Sequence, residues 1–234
     1  KIIPALTVQC PFDCSVKGNT PIPIGNIVTL DVIWETDSYM RKADSGTIIS
    51  SLTLSNSMAL FTLSDNLNEG NALIAAKDEN GTILWSWHIW VTDTPVDHIY
   101  INGDDRFVVQ DRHLGATRGD NGNGEEWKES CGIDYQWGRK DPFSAGNFTS
   151  TNDSFTIEQS IQNPTVRAKW SREAGLWSSY TKTMYDPCPV GYRVAPHEVY
   201  KCLQYTEDLS DNGEFFIYDG VNAAWYPFRG NPTE

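Results

Sequence analysis

Five aromatic residues in the second half of the chain have side chains that could bind carbohydrate. They are Trp170, Trp177, Tyr180, Trp225 and Tyr226. The flat face of an indole or phenol ring can stack on a pyranose ring, while nearby Asn, Asp or Glu side chains hydrogen-bond to the sugar hydroxyls. Large aromatic rings also fill protein cores, so core packing is the competing interpretation for each of the five.

An acidic loop from Gly119 to Glu126 carries Asp, Asn and Glu oxygens of the kind that bind calcium. The order of ligands that defines an EF-hand loop is absent. A solvated connecting loop is therefore the better interpretation. We predict no cofactor. These oxygens could bind calcium, although no motif in the sequence indicates a calcium site.

Catalytic motifs are missing from the sequence. It contains no Gly-x-Ser-x-Gly elbow, no His-Glu-x-x-His motif and no phosphate-binding loop. His113 and His197 lie near Asp111 and Glu198, but a histidine beside a carboxylate is common on protein surfaces. We therefore predict that the chain is not an enzyme.

The cysteines leave two interpretations open. Their number is odd, so at least one thiol is unpaired in a monomer, and their spacing does not match paired Cys-x-x-Cys zinc knuckles. Disulfides would suit an exported protein, whereas free thiols would pack as small apolar groups. The residues are Cys10, Cys14, Cys131, Cys188 and Cys202.

Charge and hydropathy narrow the classes of partner. The net charge is −13 and the pI is about 4.6, with no basic stripe, which argues against nucleic acid and anionic membrane surfaces. No apolar run approaches the roughly 20 residues of a membrane span, and no signal peptide precedes Lys1. We expect a soluble segment whose targeting must be inferred from elsewhere.

The clearest structural pattern is a β-hairpin between Gly70 and Asp93. Two apolar runs flank Asn80-Gly81, a dipeptide that favours a tight reversal. In the second run every other residue is large and apolar, which predicts a strand with its heavy face in a core. The residues of that face are Ile83, Trp85, Trp87, Ile89 and Val91.

Similar alternation earlier in the chain predicts an antiparallel β-sandwich over residues 1–95. One of its strands should direct Val28, Leu30, Val32 and Trp34 inward, and further strands are expected at residues 47–54 and 59–63. After Pro95 the sequence becomes loop-rich and dense in aromatic residues, which predicts a second domain over residues 98–234. There we expect a strand carrying Tyr135 and Trp137 on one side and a helix that Pro196 opens.

Particular phrases of the sequence resemble a known family. The segment GNALIAAKDENGTILWSWHIWVTD is similar to the sandwich module of fimbrillin-family surface proteins of Gram-negative gut and oral bacteria. DRHLGA, YQWGRKDPF, TIEQSIQNP, LWSS and YDPCPVGYRVAPHEVY, in that order, resemble the C-terminal module of fimbrillin-family tip proteins. DPCPVGYRVAPHEVY is also similar to a phrase of the major paralogous domains of bacterial surface proteins. The resemblance covers about residues 70 to 200.

The resemblance implies a C-type-lectin-like fold for the second domain, so the expected class is mainly β, a sandwich followed by a loop-rich α+β domain. It also implies an exported adhesion protein, a fimbrial tip subunit at the cell surface or outer membrane. Its partners would be other pilus subunits and host or microbial surface glycans or proteins. Because like charges repel, we expect neutral glycan or protein ligands. Family members continue with further strands after WYP-G-R, so such a fold ending at Glu234 would leave strand edges uncovered.

Two other functions fit the same resemblance. A structural pilus subunit would need no sugar site, and the calcium-dependent Glu-Pro-Asn and Gln-Pro-Asp motifs of animal lectins are absent. The lectin-like scaffold is also that of sulfatase-activating oxidases, which need a cysteine pair for copper. Cys131 and Cys188 stand apart in the sequence and supply no such motif.

Overall fold

The computed structural model describes residues 2–3, 9–170 and 175–228, with the backbone alone at positions 2, 3, 9, 170, 208 and 209. The protein is mainly β, with 41% strand and 7% helix, and most strand pairs are antiparallel. No helix among the described residues is both long and apolar enough to cross a membrane.

The first half forms two sheets. One has the strand order β1-β7-β6-β3 and the other β2-β5-β4. The strands are β1 (Ile2–Ile3), β2 (Gln9–Asp13), β3 (Thr29–Thr36), β4 (Ile49–Ser55), β5 (Met58–Leu63), β6 (Gly70–Lys77) and β7 (Ile83–Val91).

The hairpin predicted between Gly70 and Asp93 is confirmed. β6 and β7 pair in antiparallel register from Gly70↔Val91 to Lys77↔Ile83, and Gly81 in the turn has φ +79°. Residues of both sheets, among them Phe61, Ile74 and Ile89, form one buried apolar cluster. Trp85 is 1% exposed, whereas Trp87 packs partly buried beside that cluster.

The predicted inward face of β3 is wrong in part. The register of β3 against β6 shifts between Val32 and Trp34. Such a bulge turns the following side chains to the opposite face. Val32 therefore packs with the cluster between the sheets, while Trp34 packs on the other side with Leu73 and Ile133. Val28 lies before the strand and is exposed.

The second half is built from short elements. They are β8 (Asp97–Asn102), β9 (Asp105–Gln110), a 3₁₀-helix (Glu126–Ser130), β10 (Asp134–Tyr135), β11 (Pro142–Phe143), β12 (Thr149–Phe155), α1 (Ile157–Gln162), β13 (Val166–Trp170), α2 (His197–Tyr200), β14 (Gln204–Ser210), β15 (Gly213–Ile217) and β16 (Ala223–Pro227). β8 pairs with β9, and β14, β15 and β16 form a three-stranded sheet.

Two predictions in the second half have clear outcomes. Pro196 does precede a helix, but α2 is only four residues long. The strand expected to carry Tyr135 and Trp137 is wrong, because β10 ends at Tyr135 and Trp137 lies in the following turn, 49% exposed. Gln136 and Arg139 form that turn through a backbone hydrogen bond.

The second half covers the face of β7 opposite to the apolar cluster. The Trp90 indole donates to the carbonyl of Ala116 over 2.9 Å, and the Ser86 hydroxyl donates to Asp141 over 2.8 Å. The face of β7 that carries polar residues is thus buried as well. Both halves depend on this strand for their packing.

Candidate functional site

The second half contains a cleft of about 1200 Å³. Its walls come from β9, from residues 111–114, from residues 187–200 and from β16. Apolar and aromatic groups make up most of the lining, and a few polar side chains interrupt it. A site of this composition suits an organic ligand that is held by contact area and oriented by a small number of hydrogen bonds.

Asp186 holds the wall formed by residues 187–194. Its side chain is buried and accepts hydrogen bonds from the backbone N–H groups of Cys188 (2.9 Å) and Val194 (3.0 Å). Lys182 donates to the same carboxylate over 3.0 Å and to the Cys188 carbonyl over 2.6 Å. One carboxylate therefore closes this loop and fixes the shape of the cleft.

Trp177 is a predicted site residue that lines the cleft. Its indole N–H donates to the carbonyl of Tyr185 over 2.8 Å, and its ring packs against Trp137 with 5.0 Å between centroids. The side chain is partly buried. These contacts fix the indole while leaving part of its surface open to the cleft.

Trp225 and Tyr226 also line the cleft, from neighbouring positions on β16. Trp225 is 5% exposed and donates its indole N–H to the Ser130 hydroxyl over 2.8 Å, so it serves mainly as packing. The Tyr226 hydroxyl lies 2.7 Å from that of Tyr100. Burial raises the pKa of Tyr226 to about 12, so the phenol stays protonated and available for hydrogen bonding at neutral pH.

Of the other two predicted site residues, only Tyr180 has a described side chain. Tyr180 is 90% exposed and does not line the cleft, so the structure does not bring it together with Trp177. Trp170 ends β13, paired in parallel register with Phe155, and its side chain lies outside the described residues.

The charges of the cleft differ from those of the whole chain. Arg112 forms an ion pair with Asp111 over 2.9 Å and another with Asp93. Arg106 and Arg193 line the cleft, are exposed and have no carboxylate partner among the residues that the structure describes. After internal pairing, the cleft wall carries two guanidinium groups in a molecule of net charge −13.

One arginine offsets part of the negative charge of the acidic loop. The Arg118 guanidinium contacts Asp120 at 2.8 Å and both Glu126 and Glu129 at 3.2 Å. This arrangement fits the interpretation of a connecting loop. In the described ranges, no group of three or more His, Cys, Asp or Glu side chains is arranged to hold a metal ion.

All five cysteines are free thiols. Cys188 lines the cleft, and Cys131 does not. Burial, together with the negative charge of Asp186, raises the pKa of Cys188 to about 12. A thiol with this pKa is protonated at neutral pH, and the thiolate is the form that attacks or binds a metal.

Sequence reasoning missed Asp186, Arg106 and Arg193. Asp-Pro is a turn-forming dipeptide, so Asp186-Pro187 was the available signal for a loop held by a carboxylate. Nothing local marks the two arginines, because the cleft forms only when β9 comes to lie beside residues 187–200. No protein-family model, curated protein or solved structure matches the chain.

Proposed function

We propose that the chain is part of a non-enzymatic adhesion protein, a fimbrial tip subunit, whose ligand site is the cleft of the second half. The observation that carries the proposal is that Trp177, Trp225 and Tyr226, chosen from the sequence as ligand-binding residues, line one cleft of about 1200 Å³. The exposed part of an indole and a protonated phenol together supply a stacking surface and a hydrogen-bonding group.

The size of the cleft favours an extended ligand. Pockets for single small molecules usually enclose about 300 to 1000 Å³, so this cleft has room for several sugar units or a peptide segment. Neutral surface glycans or surface proteins of a host or of other microbes are the ligands we propose. Each contact would be weak, and display of many exported copies on a cell surface, each assembled with other pilus subunits, would strengthen attachment.

For the architecture, we propose a β-sandwich over residues 1–95 and a C-type-lectin-like domain over residues 98–234. The two sheets that share the cluster around Phe61 support the first assignment. Short elements joined by long loops support the second. In this arrangement the sandwich serves as a rigid support, and the loops of the second domain present the ligand site.

The experiment that tests the function applies labelled protein to a glycan array and to a panel of bacterial and host surface proteins, with and without calcium. We expect binding to neutral glycans or to proteins that persists after calcium is removed. Loss of binding in the calcium-free arm would show that a cation completes the site. Assembly with a pilin, together with no signal on either array, would instead support a structural pilus subunit.

A further inference from the structure

Strand β9 has a free backbone edge. In an antiparallel pair, residues alternate between those that exchange hydrogen bonds with the partner strand and those whose backbone groups point away. The two-residue turn between β8 and β9 is closed by Asn102↔Asp105, so this pair is bonded and Arg106, Val108 and Gln110 direct their N–H and C=O groups away from β8. Across the described residues, no backbone hydrogen bond engages these groups.

The outer edge of β8 supports this assignment. Ile101 lies opposite Arg106 in the register and must also point its backbone groups outward. Its N–H donates to the carbonyl of Tyr218 over 2.9 Å, which is a contact outside the β8–β9 pair. The outer edge of β8 is thus engaged at this point, and that of β9 is open.

The open edge of β9 borders the cleft. All residues from Arg106 to Gln110 line it without interruption. Side chains alternate between the two faces of a strand, so a cleft against one face would be lined by every second residue. The unbroken run is the pattern expected of a strand that borders the cleft along its backbone edge, where the free N–H and C=O groups lie.

Apart from the charges of Asp105 and Arg106 at its start, this edge lacks the features that usually protect edge strands. β9 contains no proline or lysine, and its pairing with β8 has no bulge. Val108 is 56% exposed and lies opposite Ile99, which is 44% exposed. A regular edge with an exposed apolar residue at its centre is a template on which another strand can pair.

Charge indicates what kind of strand fits. Arg106 is on β9 itself and, like Arg193, has no carboxylate partner in the described part of the chain. On an added strand, the side chain opposite Arg106 and the one opposite Val108 lie on the same face, two residues apart. A carboxylate at the first position and an apolar group at the second complement this edge, although the molecule as a whole is acidic.

We propose that the edge of β9 binds an extended segment of a partner protein as an added β-strand, with a carboxylate of that segment on Arg106 and an apolar residue on Val108. The proposal rests on the function proposed above. Of the two ligand classes named there, glycans and proteins, it concerns the proteins. Main-chain hydrogen bonds supply the affinity, and the alternate side chains supply the specificity.

The test uses the peptide Thr-Val-Thr-Glu-Thr-Val-Thr with blocked ends. In an extended strand its Glu and both Val side chains lie on one face, so a Val stands two residues from Glu whether the peptide pairs parallel or antiparallel to β9. Affinity is measured by fluorescence anisotropy, and exchange protection of the Val108 amide by NMR. One control peptide has Lys in place of Glu, and another is N-methylated at alternate residues to block strand pairing. Protein variants are Arg106→Gln, which removes the cation, and Val108→Pro, which removes an N–H that β8 does not use.

We expect the peptide to bind and to protect the Val108 amide. Arg106→Gln and the Lys peptide should each weaken binding by about tenfold or more, since a charge-assisted contact is lost. The N-methylated peptide should not bind, a result that stands even if Val108→Pro fails to fold.

Three results would overturn the proposal. They are no binding of the unmodified peptide, equal binding of the N-methylated peptide, and protection of the Val108 amide in the full-length protein before any peptide is added. In the last case a segment of the protein's own chain occupies the edge. Array binding that the peptide does not compete with would leave the adhesion function standing while this inference fails.

Discussion

At the scale of single residues, the partly buried His88 joins the two halves of the chain. One ring nitrogen lies 2.8 Å from the Asn71 amide oxygen, and the other lies 2.8 Å from the Tyr135 hydroxyl. An amide oxygen can only accept, so the neutral ring donates from Nε2 to Asn71 and accepts at Nδ1 from Tyr135. Burial lowers the pKa of His88 well below 6.5.

This histidine should make stability depend on pH. Below about pH 6.5, an unfolded His88 binds a proton that the native state excludes. The contribution of His88 to the free energy of unfolding is therefore fully present above that pH. It falls, by up to about 1.4 kcal/mol per pH unit, as the solution becomes more acidic. We expect the free energy of unfolding, measured by chemical denaturation between pH 7.5 and pH 5, to depend less steeply on pH in His88→Gln than in the wild type. His197 is exposed, so His197→Gln serves as the control. A pH dependence in His88→Gln as steep as that of the control and of the wild type would contradict this role.

Asp186 should control the shape of the cleft. Asp186→Asn keeps the size of the side chain but replaces one accepting oxygen with a donor, which faces the N–H of Cys188 or Val194. We expect a loss of about 1–3 kcal/mol in stability and faster amide exchange in residues 187–194. Wild-type exchange at Val194 in this variant would show that the carboxylate does not hold the loop.

At the scale of elements, β6 begins at a position that only glycine tolerates. Gly70 has φ +151°, and a Cβ built there would lie 2.2 Å from the carbonyl oxygen of Thr36. Gly81, in the turn after β6, also has positive φ but no atom within 4 Å of an added Cβ. Substitutions at these two positions therefore distinguish the cost of a positive φ from the cost of steric overlap.

We therefore expect Gly70→Ala to destabilise the protein far more than Gly81→Ala. The Gly81 variant should cost about 1 kcal/mol, the strain of a non-glycine residue at positive φ. The Gly70 variant adds a clash with backbone that cannot move without breaking the β3–β6 pair. Chemical denaturation measures both, and equal losses would refute the steric argument.

The elements also show how far the sequence could predict the structure. Asn80-Gly81 and the alternation around it predicted the β6–β7 hairpin, because both signals are local. The bulge between Val32 and Trp34 has no local mark and turned Trp34 to the other face. The cleft was beyond prediction for the same reason, since β9, β16 and residues 187–200 meet only through long-range packing. Three of the five aromatic candidates line it, and nothing in the sequence separated them from Tyr180.

At the scale of the whole molecule, the sheet β1-β7-β6-β3 supplies packing surface to both halves. Trp34 and Leu73 form a cluster with Ile133, and Trp85 packs against Tyr185. Trp34, Leu73 and Trp85 belong to the first half and are covered by residues of the second. Exposing them to water would cost the free energy of their burial, about 25 cal/mol for each Å² of apolar surface.

Residues 1–97 expressed alone should therefore melt at a lower temperature than the same residues within the full chain. The domain boundary near Pro95 stays a prediction, and limited proteolysis that releases a fragment ending between residues 93 and 105 would support it. Equal melting temperatures for the fragment and the full chain would show that the contacts between the two halves contribute nothing to the stability of the first half.

The most direct measurement for the ligand site compares two aromatic variants. Trp177→Leu removes a ring that lines the cleft, and Tyr180→Ala removes an exposed ring that does not. Calorimetry gives the Kd of each variant and of the wild type for the strongest array ligand, with melting temperatures as the control for folding. We expect Trp177→Leu to raise the Kd by about tenfold, the loss of one aromatic contact, and Tyr180→Ala to leave it unchanged. The reverse, with Trp177→Leu binding like the wild type and Tyr180→Ala binding nothing, would place the site outside the cleft.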